Sequence, residues 1–138
     1  MDPLEQRVLA ANLAFYEAFA AADADAMLNL WSQHSPVACV HPGMPPLYGR
    51  TEVINSWRQI MAHPRAPRIH CTDAKVHILG AVAYVTCNEG LLDEASSLIA
   101  TNIFVLEDGN WRIVFHQAGP LVTKSTVVRP SQYPHGVN

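Results

Sequence analysis

His41 ends a short β-branched run, Ser35 to Val40, and is followed by Pro42-Gly43, a pair that forces a turn. An imidazole titrates near neutral pH, so a histidine held at such a turn is the best general-base candidate in the chain. A histidine that merely caps the turn would read the same way, and the two readings stand level. Asn102 and Gln117 are the other polar groups of interest, because their neighbours along the chain are apolar. If Asp108-Gly109 is a two-residue hairpin turn, Asn102 faces Phe115, Phe104 faces Ile113, Leu106 faces Trp111 and Ala100 faces Gln117, all on one side. That side is the more apolar and is expected to line the interior. An unpaired amide there costs on the order of 1–3 kcal/mol, so Asn102 and Gln117 each require an internal partner or a ligand.

The neighbouring strand leaves its register open. If Asn88 pairs with Asn102, then Tyr84, Thr86 and Asn88 all face the interior. A slip of one residue sends them outside and brings in Glu89, whose carboxyl pKa burial would raise. Asp23, Asp25, Glu107 and Asp108 sit at helix starts or turns open to water. His34, His63 and His135 fall in loops, His70 lies near a strand start, and His77 and His116 carry outer-face parity. No two histidines have His-x-x-x-His spacing and no cysteine joins them, so no metal site is expected. Gly-x-Gly-x-x-Gly, a phosphate loop and Gly-x-Ser-x-Gly are all missing, and no cofactor is expected. Trp31, Trp57 and Trp111 read first as core, with Trp57 close enough to the proposed mouth to touch a ligand.

The elements that must position these groups follow from hydrophobic period. Val8, Phe15 and Phe19, widened by Leu9, Leu13 and Tyr16, predict a helix from about Leu4 to Ala22. Asp23 can cap a second helix, Ala24 to Trp31. A third, about Thr51 to Ala62, has Thr51 as its expected cap and Val53, Ile54, Trp57, Ile60 and Met61 as its apolar positions. From Ile69 the period becomes two, giving strands Ile69 to Leu79, Val82 to Leu92, Leu98 to Glu107 and Asn110 to Ala118. Helices first and an antiparallel meander afterwards mean α+β, a curved sheet wrapped around three helices into a cone with a cavity at its mouth. Ile103, Val105 and Val114 have the opposite parity, so the outer face is apolar and a homodimer is expected to cover it.

With 138 residues the chain is about one domain long, and its 49% hydrophobic and 15% charged content suits a packed core. The expected division is one domain over residues 1–120 and an arm or disordered tail over 121–138. A net charge of −3 without any basic cluster argues against nucleic-acid partners. No apolar run approaches the roughly 20 residues of a membrane span, so no membrane partner is expected. The start, Met1-Asp2-Pro3-Leu4-Glu5, lacks the features of a signal peptide. Cys39, Cys71 and Cys87 form no Cys-x-x-Cys pair and read as reduced thiols, which points to the cytoplasm.

Phe15-Tyr16, Asp23-Ala24-Asp25-Ala26-Met27 and Trp31, then His41-Pro42-Gly43, Gly49-Arg50 and Trp57, then Asp108-Gly109-Asn110-Trp111-Arg112-Ile113-Val114 follow one another in a familiar order. From about Leu4 to Pro120 the chain resembles the SnoaL-like branch of the nuclear transport factor 2-like superfamily. That superfamily includes ketosteroid isomerase, polyketide cyclases, scytalone dehydratase and the association domain of calcium/calmodulin-dependent kinase II. The resemblance implies a conical α+β barrel, a dimer, and a small-molecule pocket lined by the first and third helices and the concave sheet. Phe15, Tyr16, Trp31, Trp57, Phe104, Phe115 and Gln117 are its candidate lining residues, joined by Tyr84, Thr86 and Asn88 in the favourable register. Isomerase chemistry uses a carboxylate base with tyrosine and protonated-acid oxyanion donors. In order along the chain, His41-Pro42 occupies the base's step and Asn102, followed by Phe104, the acid's place. Phe15 stands where the tyrosine would be, with Tyr16 one residue along, and Thr86 and Asn102 stand at the association domain's pocket arginines. The expected activity is proton transfer of isomerase, cyclase or dehydratase type on a small apolar carbonyl compound, with His41 as base and Asn102 as oxyanion donor. A binding domain without chemistry and a dimeric association module are the alternatives.

Overall fold

The computed structural model describes residues 2–91 and 97–121. The element order is α1 (Pro3–Ala21), α2 (Ala24–Leu30), β1 (Ala38–Val40), β2 (Leu47–Tyr48), α3 (Arg50–Ala62), β3 (Ile69–Leu79), β4 (Val82–Leu91), β5 (Leu98–Glu107) and β6 (Asn110–Pro120). The strands form one curved six-stranded sheet in the order β2-β1-β6-β5-β4-β3, antiparallel except where β1 runs parallel to β6. Three helices packed on one sheet give the expected α+β plan. No helix among the described residues is long and apolar enough to cross a membrane.

Local chemistry accounts for the helix ends. Asp2 caps α1 by accepting from the Leu4 amide at 2.8 Å, with Pro3 in the first turn, where its missing N–H costs nothing. Asp23 caps α2 through the Ala26 amide at 3.1 Å. Thr51 does not cap α3. Gly49 takes that position at φ 84°, a left-handed backbone that suits glycine, and Glu52 reaches back to the Tyr48 amide at 3.0 Å. Arg50 then spans to the Leu28 and Trp31 carbonyls at 2.9 and 2.8 Å, tying the exit of α2 to the entry of α3. The Asp108-Gly109 turn has both central residues at positive φ, which fits the right-handed twist of the flanking strands.

Two irregularities set the inner face of the sheet. On β5 and β6 the expected register holds from the turn to Phe104 opposite Ile113. Beyond it, one extra residue on β6, Val114, shifts the pairing, so Asn102 faces His116 and Ala100 faces Ala118. A β-bulge of one residue reverses the parity of everything after it. His116 therefore points inward and is buried, while Phe115 and Gln117 turn to the outer face, the reverse of the sequence expectation. On β4, Val85 rather than Asn88 lies opposite Asn102. Ala83, Val85, Cys87 and Glu89 accordingly face inward, and Tyr84, Thr86 and Asn88 lie on the outer face, Tyr84 stacked on His77. A second bulge on β3 lies between Thr72 and Lys75, with Asp73 at φ 56°. The inner faces close on α1, α2 and α3 around Val8, Phe15, Met27, Trp31, Val53, Trp57, Phe104 and Ile113. Gly119 and Pro120 belong to β6, the Leu121 amide donates to the Ser97 carbonyl at 2.8 Å, and the rest of the expected arm or disordered tail over 121–138 lies outside the described residues.

Candidate functional site

Asn12, Tyr16, Glu89, Asn102 and His116 meet between α1 and the sheet as a connected polar cluster inside the apolar core. All five are at most 3% exposed. On α1, Asn12 and Tyr16 share the buried stripe with Val8, Phe15 and Phe19, which directs both at the sheet. Asn102 Nδ2 donates to Asn12 Oδ1 at 2.8 Å and to Tyr16 Oη at 3.1 Å. Its Oδ1 can only accept, so the 2.6 Å contact with His116 Nδ1 is an N–H donated by the imidazole. Tyr16 Oη donates to Glu89 Oε2 at 2.6 Å, which leaves the Cys87 thiol, 3.3 Å away, to donate to Tyr16. Asn12 completes the set by donating to Cys71 Sγ at 3.6 Å.

This arrangement fixes protonation as well as position. Burial pushes the His116 pKa down to about 3, with His41 adding to the effect, so the ring is neutral with its proton on Nδ1. Burial raises the Glu89 pKa, against the opposing hydrogen bond from Tyr16. Burial beside Glu89 likewise raises the Tyr16 pKa and keeps the phenol protonated. His116 Nε2 and Glu89 Oε2 stand 3.8 Å apart, beyond hydrogen-bond length. A neutral imidazole with a free lone pair thus adjoins a carboxyl group whose burial favours its protonated form, the poise expected of a base and an acid in one site.

Both groups reach a cavity of about 480 Å³, a size that suits a small organic ligand. Phe19, Trp57, Ile60 and Ile69 line it with Leu98, and His41 and Pro42 close one side. Gln59, His63, Arg65, Ala66 and Pro67, from the end of α3 and the loop after it, form its rim. His41 is positioned by β1, by the turn in which its carbonyl accepts from the Met44 amide, and by Ser56 on α3. Ser56 spends its only hydroxyl proton on the Val53 carbonyl at 2.7 Å, so it accepts from His41 Nε2–H at 2.9 Å. That leaves His41 Nδ1 with a lone pair, and burial lowers the pKa of the ring. The rings of His41 and His116 both pack against Trp57, at 4.9 and 5.7 Å between centroids.

Of the sequence candidates, His41 and Trp57 line this cavity. Asn102 does not line it: it stands behind His116 with its amide hydrogens committed to Asn12 and Tyr16, so the oxyanion-donor role has no free N–H to rest on. Tyr16 reaches the site through Glu89. Phe15, Trp31 and Phe104 are core, while Tyr84, Thr86, Asn88, Phe115 and Gln117 face away. Sequence reasoning missed His116 and Asn12. The uninterrupted apolar run Ile113-Val114-Phe115 breaks strand alternation and could have signalled the bulge. Asn12, a polar residue on an otherwise apolar helical stripe, was a signal for a buried network.

The chain compares closely with known proteins. The SnoaL-like domain model matches residues 8–123. A Streptomyces avermitilis protein of the NTF2-like family, provisionally named a dehydratase, is 33% identical with TM-score 0.77; the match covers 86% of this chain and 96% of that one. A Thiobacillus denitrificans protein, provisionally named a calcium/calmodulin-dependent protein kinase type II association domain, is 31% identical with TM-score 0.69, over 83% of this chain and 94% of that one. The curated F-box protein SKIP8 of Arabidopsis thaliana is 24% identical over 115 residues, which make up 83% of this chain and 50% of the relative. The chain therefore spans about half the length of that relative. With three helices on a curved sheet and a family match over most of its length, the chain belongs to the SnoaL-like domain family and has the NTF2-like fold.

Proposed function

We propose that the chain is a proton-transfer enzyme of dehydratase type acting on a small, largely apolar β-hydroxy carbonyl compound. The observation that carries this reading is His116 Nε2, with the ring proton held on Nδ1, standing 3.8 Å from the Glu89 carboxyl on the wall of one apolar cavity, where burial favours the neutral form of both. His116 takes the proton next to the carbonyl, the C–H electron pair becomes the new double bond, and the C–O bond breaks as Glu89 protonates the departing hydroxyl. Water and a conjugated carbonyl product result. The imidazolium and carboxylate left behind lie 3.8 Å apart, so the proton returns from one to the other and the resting state is restored. His41 accepts a hydrogen bond from the substrate hydroxyl at Nδ1, a positioning role in place of the base role expected from the sequence. A relative provisionally named a dehydratase, 33% identical, supports the same class. The test is a panel of β-hydroxy ketones bearing a phenyl ring, followed by the absorbance of the enone. Glu89→Gln should abolish turnover while ligand still binds; full turnover in both Glu89→Gln and His116→Ala would end the proposal.

The outer face of the sheet favours an additional role in association. Ile99, Ile103 and Val105 lie on it, and Ile99 is 40% exposed in the single chain, while Val114, at the bulge, packs against the core instead. We propose that a second copy covers this face, as the homodimer expectation required. The 31% identity to a protein named as an association domain supports it. Sedimentation showing a monomer at micromolar concentration would reject it.

A further inference from the structure

We infer that the ligand of this cavity carries a carboxylate and that Arg65, at the rim, receives it. The inference rests on reading the cavity as a substrate site and adds the chemical class of what enters. Burial lowers the pKa of His41 and His116 and raises that of Glu89, so each shift in the cavity interior favours the uncharged form. Among the described residues lining it, Arg65 is the only lysine or arginine. Among the described residues, no hydrogen bond or ion pair engages its guanidinium.

The loop that carries Arg65 is built to hold its place. His63 Nδ1 accepts the Arg65 amide and the His63 carbonyl accepts the Ala66 amide, both at 3.0 Å. Pro64 and Pro67 restrict the backbone on either side. A single guanidinium presents two parallel N–H groups that match one carboxylate, whereas a phosphate dianion calls for more positive charge than this rim supplies. An anion would find no stabilisation among the apolar walls deeper in, so it stays at the mouth while the apolar body goes inward. Such a ligand enters in one orientation, which brings its carbonyl end to Glu89 and His116.

Calorimetric titration with benzoylpropionate and with its methyl ester tests the assignment in the intact chain. The acid should bind about fivefold more tightly than the ester, the size of a partly exposed ion pair, and the gap should close at high salt. Arg65→Gln should bring the acid to the level of the ester, and Arg65→Lys should keep part of the preference. Equal binding of acid and ester by the unaltered protein, or a preference that survives Arg65→Gln, would overturn the carboxylate assignment alone. Failure of both compounds to bind would overturn the reading of the cavity as a site for such ligands along with it.

Discussion

The two halves of the β5–β6 hairpin obey different rules. Between the Asp108-Gly109 turn and the Phe104–Ile113 pair, residues alternate in and out as period two requires, and their work is packing. Past Val114 the alternation is inverted, and the same hairpin delivers His116 to the cavity wall and Asn102 to its back. The regular half is held by a turn whose chemistry is local. The irregular half is held by side-chain hydrogen bonds to α1, about ninety residues away in sequence, and the candidate chemistry lies there. An inserted residue costs ladder pairing but re-aims a side chain that a regular strand would have left outside.

The sharpest test of this difference compares neighbours across the bulge. His116→Ala should lower turnover about a thousandfold, the usual range for loss of a general base, measured on whichever hydroxy ketone reacts. Turnover within a factor of two of the unaltered protein would place the chemistry elsewhere. Asn102→Leu comes next. It leaves His116 Nδ1–H and Asn12 Oδ1 without a partner in a buried site and removes one of the hydrogen bonds of Tyr16 Oη, at a cost of about 2–4 kcal/mol. Urea unfolding should show that loss, whereas Thr101→Val, on the outer face beside it, should change stability little.

The pH dependence of stability offers a smaller effect, with a sign for each partner. Folded His116 titrates at about 3 and its unfolded counterpart near 6.5, so between those values the unfolded chain binds more protons. Stability therefore falls as pH drops from 6.5 towards 3, at up to about 1.4 kcal/mol per pH unit for one proton. Glu89 acts the other way. Its folded pKa is raised above 4.5, so the folded chain keeps a proton that the unfolded chain releases, and stability declines as pH rises from 4.5 to the raised value. Glu89→Gln should flatten the high-pH side and His116→Gln the low-pH side. Variants that track the unaltered protein at every pH would show that neither group is held neutral. The smallest expected effect is that of Gln117→Ala, less than twofold on turnover. A larger loss would return Gln117 to the cavity side where the sequence had placed it.

Most of the architecture could be read without coordinates. The three helices, the four long strands and the Asp108-Gly109 turn depend on side-chain period, capping groups and turn preferences, all properties of residues close together in the chain. The two-residue β2 escaped because so short a segment has no period, and Gly49 rather than Thr51 starts α3 because the backbone there is left-handed. The site was less legible. Of the candidate site residues named beforehand, His41 and Trp57 are among those lining the described cavity, while Glu89 hung on an undetermined register. Residue types and spacing determined which segments fold locally and which faces seek cover. Tertiary packing alone decided whether Glu89 or Asn88 faces inward and whether His116 or Gln117 does. The reason is that strand register is a choice between alternatives one residue apart, nearly equal in local energy, and contacts with α1 select between them.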